Sequence, residues 1–313
     1  MSDVRLLPTT IVFLSSFKEK IPPNLLQINV TTKWNQGYKG KGVITAILDT
    51  GCDISHPDLR DRIIGGYNFT DDFNGDIGIF EDLNGHGTHI AGTLAGSSNG
   101  YGLIGVAPES KILVVKVLDK YGTGSIQHLI DGLHYAIDWR GLNGEKVNII
   151  SLSLGIKTST SQLHDAIKRA VNKGIIVVAA SGNDGDGNIE TDEFRYPGAY
   201  SEPIVVGAMD KQGDVADYSN TNKFVDIYAP GSGIYSTFSR GNYTVLSGTS
   251  MAVPHVSGAI AIFIQELKNK YNKEPTISEV EQMLTDHTTM RGPSMRVLDL
   301  SANLSKEAVE KYG

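Results

Sequence analysis

Four polar residues sit where apolar stretches of this 313-residue chain break off, and together their types suit one kind of chemistry. Asp49 closes the run VITAILD and is followed at once by Thr50 and Gly51, so its carboxylate emerges where a strand stops. His86 lies in NGHGTHIAGT, where Gly85 and Gly87 let the backbone crowd against a neighbour and a helix is expected to start at Thr88 or His89. Ser250 lies in LSGTSMAVPHVSG, a hydroxyl-rich lead into an apolar helical pattern. Pro254 suits the first turn of that helix, whose N–H groups have no intrahelical partner, so Ser250 belongs at a helix N-terminus. A serine hydroxyl is a poor nucleophile until a neutral imidazole removes its proton and a buried carboxylate orients that imidazole. Asp, His, Ser is one of the chain orders in which this arrangement is known. Acyl transfer also needs donors for an oxyanion: the amide of Asn183, in VVAASGNDG, and the Ser250 N–H are placed to supply them. The Ser250 hydroxyl is expected to face His86.

The elements that must hold these residues are legible as β-branched runs at 43–48, 112–117, 147–154, 175–180, 204–209 and 225–230. Near-continuous apolar stretches mark strands buried on both faces, hence a parallel sheet. Between them, 125–140 and 161–174 carry apolar residues at helical spacing, the second closing on a Gly C-cap. Strand, helix, strand repeated gives a doubly wound α/β sheet with its chemistry at the carboxyl ends of the strands. The chain divides into an extension (1–20), one domain (21–290) and a tail (291–313). With 40% hydrophobic and 20% charged residues it is globular, and a net charge of −7 argues against nucleic-acid and anionic-membrane partners while suiting Ca²⁺. The single Cys52 permits no intrachain disulfide. LLPTTIVFL (6–14) lacks the basic lead and cleavage site of a signal peptide, and no stretch is expected to reach the length of a membrane span.

AILDTG, NGHGTHIAGT and SGTSMAVPH resemble the three signature segments of the subtilisin-like serine proteases, the subtilases, and the resemblance runs from about residue 20 to about 270. Within that family, DTGCDISHPDLRDRIIGG (49–66), GNDGDGNIETDEF (182–194) and RLLP (5–8) look most like the intracellular subtilisins of bacilli. The resemblance implies a three-layer α/β/α fold and a cytoplasmic, Ca²⁺-dependent, homodimeric endopeptidase of broad specificity, acting on proteins and peptides. It makes Asp49 the orienting acid, His86 the base, Ser250 the nucleophile and Asn183 the oxyanion donor. It gives Ser153, Leu154 and Gly155 the role of pairing with substrate backbone, with Ala180, Ser181, Gly182 and Arg195 around the adjoining pocket. It assigns one Ca²⁺ to Asp58, Asn99 and the carbonyls of Ser97, Tyr101 and Leu103, with Glu19 near that register, and a second to Asp186, Thr191 and Glu193. Residues 1–20 become an inhibitory extension that is removed, although Thr9 replaces an aromatic residue. Arg195 replaces a small residue at the pocket floor, where a guanidinium would shorten the pocket or recruit acidic side chains, unless it pairs with Glu193 or Asp192 and points away.

Taken singly, several residues have plainer readings. Asp49 alone could be a turn residue. His89 and His255 are expected as packing histidines, His56, His128, His134, His164 and His287 as structural or exposed, and Cys52 as a small core residue. Asp71, Asp72, Asp76, Glu81 and Asp82 read as a solvated loop. The competing function is a catalytically silent scaffold that binds peptide strands. An α/β-hydrolase is excluded, because Ser250 comes last and lies in G-T-S-M-A, not in a G-x-S-x-G elbow.

Overall fold

The computed structural model describes residues 4–5, 18–292 and 295–302; Pro8 and Thr9 of the extension and residues 303–313 lie outside the described residues. In chain order the elements are β1 (Val4–Arg5), α1 (Pro23–Gln27), α2 (Thr31–Asn35), β2 (Ile44–Asp49), β3 (Ile63–Asn68), α3 (His86–Ala95), β4 (Lys111–Lys116), β5 (Thr123–Gly124) and α4 (Ile126–Asp138). There follow β6 (Ile149–Leu152), α5 (Ser161–Asn172), β7 (Ile176–Ala180), β8 (Ile204–Met209), β9 (Ile227–Pro230), β10 (Ile234–Phe238), β11 (Asn242–Leu246), α6 (Thr249–Tyr271), α7 (Ile277–Asp286), β12 (Thr288–Arg291) and β13 (Met295–Leu298).

The central sheet runs β12-β13-β9-β8-β7-β6-β2-β4-β3, and every pairing but β12–β13 is parallel. The period of two explains why its strands read as unbroken apolar runs. Ile149, Ile176 and Val178 pack on one face against Val256, Ile260 and Phe263 of α6. Their neighbours Ile150, Val177 and Ala179 pack on the other, against Leu129 and Leu133 of α4 and Leu163 and Ile167 of α5. Helices therefore cover both faces, which is the three-layer α/β/α architecture, and each buried aliphatic side chain contributes about 1.5–3 kcal/mol. Ser125 caps α4 and Thr160 caps α5 through their side-chain oxygens.

Three expectations are corrected. α3 begins at His86 itself, not at Thr88 or His89. Pro254 lies beyond the first turn of α6, inside the helix. By length and composition α6 could cross a membrane, but almost all of it is buried, because it is the core helix of a sheet. The strands missed by periodicity are the two-residue β1 and β5, β3, a half-exposed edge strand carrying Gly65 and Gly66, the β10–β11 hairpin, and β12 and β13. β13, within the stretch read as a tail, pairs with β9 through Val297 and Tyr228.

Candidate active site

Asp49 is the last residue of β2 and is buried; its Oδ1 accepts from its neighbour's N–H at Thr50 (2.7 Å) and from Nδ1 of His86 (2.8 Å). Since the carboxylate accepts, Nδ1 carries the hydrogen and Nε2 is left as the basic nitrogen. The close approach of α3 to β2 needs a glycine: a Cβ at Gly87 would fall 2.2 Å from the Gly51 carbonyl oxygen.

Asp82, read from the sequence as part of a solvated loop, is instead buried at the hub of this junction. Its Oδ1 accepts from Thr50 Oγ1 (2.9 Å), Asn84 N (2.9 Å) and Gly85 N (2.8 Å), and its Oδ2 from Thr88 N (2.9 Å) and Thr88 Oγ1 (2.7 Å). Thr50 Oγ1 in turn accepts from Gly87 N (2.9 Å), so one carboxylate ties the residue after Asp49 to the turns on both sides of His86. Asp72 is likewise buried, paired at 2.9 Å with Lys116, whose fully buried ammonium also donates to the carbonyls of Thr50 (2.7 Å) and Leu118 (2.9 Å). Both acids escaped the sequence reading because a charge run looks the same whether its partners are water or distant backbone.

Ser250 is the second residue of α6, after the N-cap Gly248. Its hydroxyl donates to the carbonyl of Ser153 (2.9 Å), not to His86 as expected, while the Ser153 hydroxyl donates back to the Ser250 carbonyl (2.9 Å). Pro254 explains the second bond: it removes the helix N–H that would otherwise serve that carbonyl. Asn183 is oriented by two donors on its Oδ1, Thr249 N (2.8 Å) and Thr249 Oγ1 (3.0 Å), which leaves its NH₂ group as a donor beside Ser250.

A cavity of about 60 Å³ adjoins Ser250 and Asn183 and is lined by Ser153, Leu154, Gly155, Ala180, Gly182 and Arg195, together with Asp184. Ser181 is fully buried and does not line it. Arg195 pairs with neither Glu193 nor Asp192; its guanidinium grips both oxygens of Asp184, and this holds the Asp184 carboxyl below its ordinary range.

The residues singled out as metal ligands fall into two groups. Asp58 is fully buried, and its described partners are neutral donors: Leu103 N (3.0 Å), Tyr243 OH (2.8 Å) and Asn99 Nδ2 (3.2 Å). Ser97 N donates to the Asp58 carbonyl (2.8 Å) and Tyr101 N to Asn99 Oδ1 (2.8 Å), while Glu19 accepts from Asn99 N (2.7 Å) and Gly100 N (2.9 Å). A Cβ at Gly102 would lie 2.2 Å from the Asp58 carboxylate, so the loop closes tightly over it. In the second group Thr191 Oγ1 lies 2.9 Å from Asp186 Oδ1 and 3.0 Å from Glu193 Oε1. Among the described residues no group of three or more His, Cys, Asp or Glu is placed to hold a metal ion, so either group would bind a metal through mixed oxygen donors.

The remaining candidates are packing residues. Burial pushes His89 down to about 3 and His255 down to about 4. His255 donates from Nδ1 to the Met251 carbonyl (2.8 Å) and accepts from Asn24 at Nε2 (2.7 Å). The Cys52 thiol is buried beside Ile90 and Ala91 and pushed well above its usual range, chiefly by desolvation.

Residues 40–304 match the subtilase (peptidase S8) family. The "Intracellular serine protease" of Paenibacillus polymyxa is 45% identical over 294 residues, spanning 94% of this chain and 88% of that protein. The "Major intracellular serine protease" of Bacillus subtilis (strain 168) is 40% identical over 318 residues, 99% of this chain and 98% of the relative. The "Subtilisin" of Bacillus pumilus is 37% identical over 278 residues, 88% and 94% of the two chains.

Proposed function

The chain belongs to the subtilase family and is a serine endopeptidase, and from that premise we propose that Asp49, His86 and Ser250 form its catalytic triad, with Asn183 completing the oxyanion site. The observation that carries this reading is the buried 2.8 Å hydrogen bond between His86 and Asp49, in a chain whose Ser250 and Asn183 line one cavity. For the reaction the Ser250 hydroxyl would have to turn from Ser153 toward His86, a change between staggered positions of its side chain. Nε2 then accepts the hydroxyl proton as Oγ bonds to the substrate carbonyl carbon, and Asp49 stabilises the imidazolium. The developing oxyanion is met by Asn183 Nδ2 and by the Ser250 N–H at the start of α6. Collapse breaks the C–N bond, His86 gives its proton to the leaving amine, and water releases the acyl group by the same route.

The substrate backbone is assigned an extended path between Ser153–Gly155 and β5, held by main-chain hydrogen bonds that ignore sequence. β1 supports this path, pairing antiparallel with β5 through Val4–Gly124 and Arg5–Thr123. The same pairing supports residues 1–20 as an inhibitory extension that takes the substrate's place, ahead of a catalytic domain that starts near residue 21 and whose sheet takes in β13 from the stretch read as a tail. Structural Ca²⁺ fits the first group of acids, because the fully buried Asp58 carboxylate is hydrogen-bonded, among the described residues, by neutral donors. Asp58, Asn99, Glu19 and the Ser97, Tyr101 and Leu103 carbonyls would hold it, with Asp186, Thr191 and Glu193 a second site. The names of the relatives support a cytoplasmic location; the homodimer rests on the resemblance to the intracellular subtilisins, and proteins and peptides are the partners.

A fluorophosphonate probe and intact-mass spectrometry test the reading together. The protein is expected to label once, on Ser250, and to lose its N-terminal ~20 residues with Ca²⁺ present, whereas Ser250→Ala does neither. A wild-type protein that stays unlabelled returns the silent peptide-binding scaffold as the better account.

A further inference from the structure

A carbonyl held between Ser250 and Asn183 puts the side chain preceding the scissile bond beside the cavity that those two residues line. Its size is the first observation: about 60 Å³, far below the roughly 300–1,000 Å³ of ordinary ligand clefts. What fills it is the second. A Cβ at Gly155 would lie 3.2 Å from Cβ of Arg195, and one at Gly182 would lie 2.6 Å from Cγ of Arg195, so the arginine stem runs between the two glycine walls. The third observation is that this arginine is held at both ends. Its backbone neighbour Tyr196 exchanges two 2.9 Å hydrogen bonds with Ile156, and its guanidinium is bound by both oxygens of Asp184. Asp184 is itself fixed by its N–H donating to Asn220 Oδ1 (2.6 Å).

We infer that the Arg195–Asp184 ion pair is a specificity gate, and that this protein cleaves after small residues such as Ala or Ser in preference to aromatic or acidic ones. A phenyl ring would have to displace the stem, and so break a bidentate, charge-assisted pair. An acidic side chain gains little, since the guanidinium already faces Asp184 and the incoming carboxylate would sit beside a like charge. The inference rests on the assignment of Ser250 as nucleophile.

The test is a set of peptides identical but for Ala, Phe or Glu before the scissile bond, read as ratios of kcat/KM. The wild type is expected to favour Ala over Phe by about tenfold or more, the scale on which pockets discriminate by size. Arg195→Ala should raise the Phe/Ala ratio about tenfold; Asp184→Asn, which frees the guanidinium, should raise the Glu/Ala ratio and leave Phe/Ala low. A wild type that prefers Phe, that cleaves the three peptides without discrimination, or whose Phe/Ala ratio is unchanged in Arg195→Ala overturns the gate. If the fluorophosphonate probe fails to label and no peptide is cut, the nucleophile assignment has failed instead.

Discussion

Asp82 is buried beneath the site, and its bonds set where His86 stands relative to Asp49. Its five bonds reach Thr50 on one side and the turns at Gly85 and Thr88 on the other, so it is a positioning residue. Asp82→Asn keeps the shape but puts an NH₂ group against N–H or O–H donors. Displacing a reacting group by even an ångström is costly, so kcat is expected to fall on the order of ten- to a hundredfold with KM little changed. Steady-state kinetics check it; equal effects on kcat and KM, or none, would count against positioning. His255 carries a pH prediction of its own. Its folded-state value of about 4 lies below the ordinary imidazole value of about 6.5, so below pH 6.5 the unfolded chain binds a proton that the fold refuses. Stability therefore drops progressively as pH falls from about 6.5 toward 4, and His89, held at about 3, extends the loss. Thermal melts across pH 7.5–4.5 should show a steadily declining Tm, with a shallower decline in His255→Gln.

Helices and strands place the chemistry by where they end. β2 stops at Asp49, α3 starts at His86, and α6 starts one residue before Ser250, so each of the three residues stands at or next to an element end. Pro254 leaves a gap in the α6 ladder that Ser153, from the segment after β6, fills by donating to the Ser250 carbonyl. Ser153→Ala strands that buried acceptor, at a cost of about 1–3 kcal/mol. Tm should fall by a few degrees and the rate of fluorophosphonate labelling should drop, because the nucleophile's turn loosens; an unchanged melt would show that the bond contributes nothing.

At the scale of the molecule, the extension and the acidic loop around Asp58 are expected to act on opposite states of the enzyme. A chain beginning near Lys20 should hydrolyse peptides without a lag, while full-length protein shows a lag that ends with the loss of its first ~20 residues. Equal initial rates would exclude inhibition by the extension. Chelation should lower Tm in wild type more than in Asp58→Asn, since a ligand bound only by the folded state stabilises it by mass action. Local patterns in the sequence determined much of this protein: the parallel sheet from doubly buried runs such as Ile176–Ala180, the amphipathic helices, and Asp49, His86, Asn183 and Ser250 at element ends. Those features are encoded by neighbours along the chain and by hydrogen-bond periodicity. Contacts between distant segments were decided only in three dimensions. Asp72 reads as solvated until Lys116 is seen beneath it, and Asp82 until Thr50 and Thr88 are. Arg195 reads as a cation open to substrate or paired with Glu193 or Asp192 until Asp184 takes it, and Pro254 as a first-turn residue until Ser153 serves the carbonyl it leaves open. The reason is the same in each case: a buried polar group is tolerated only with a partner, and the partner comes from whatever part of the chain the fold brings there.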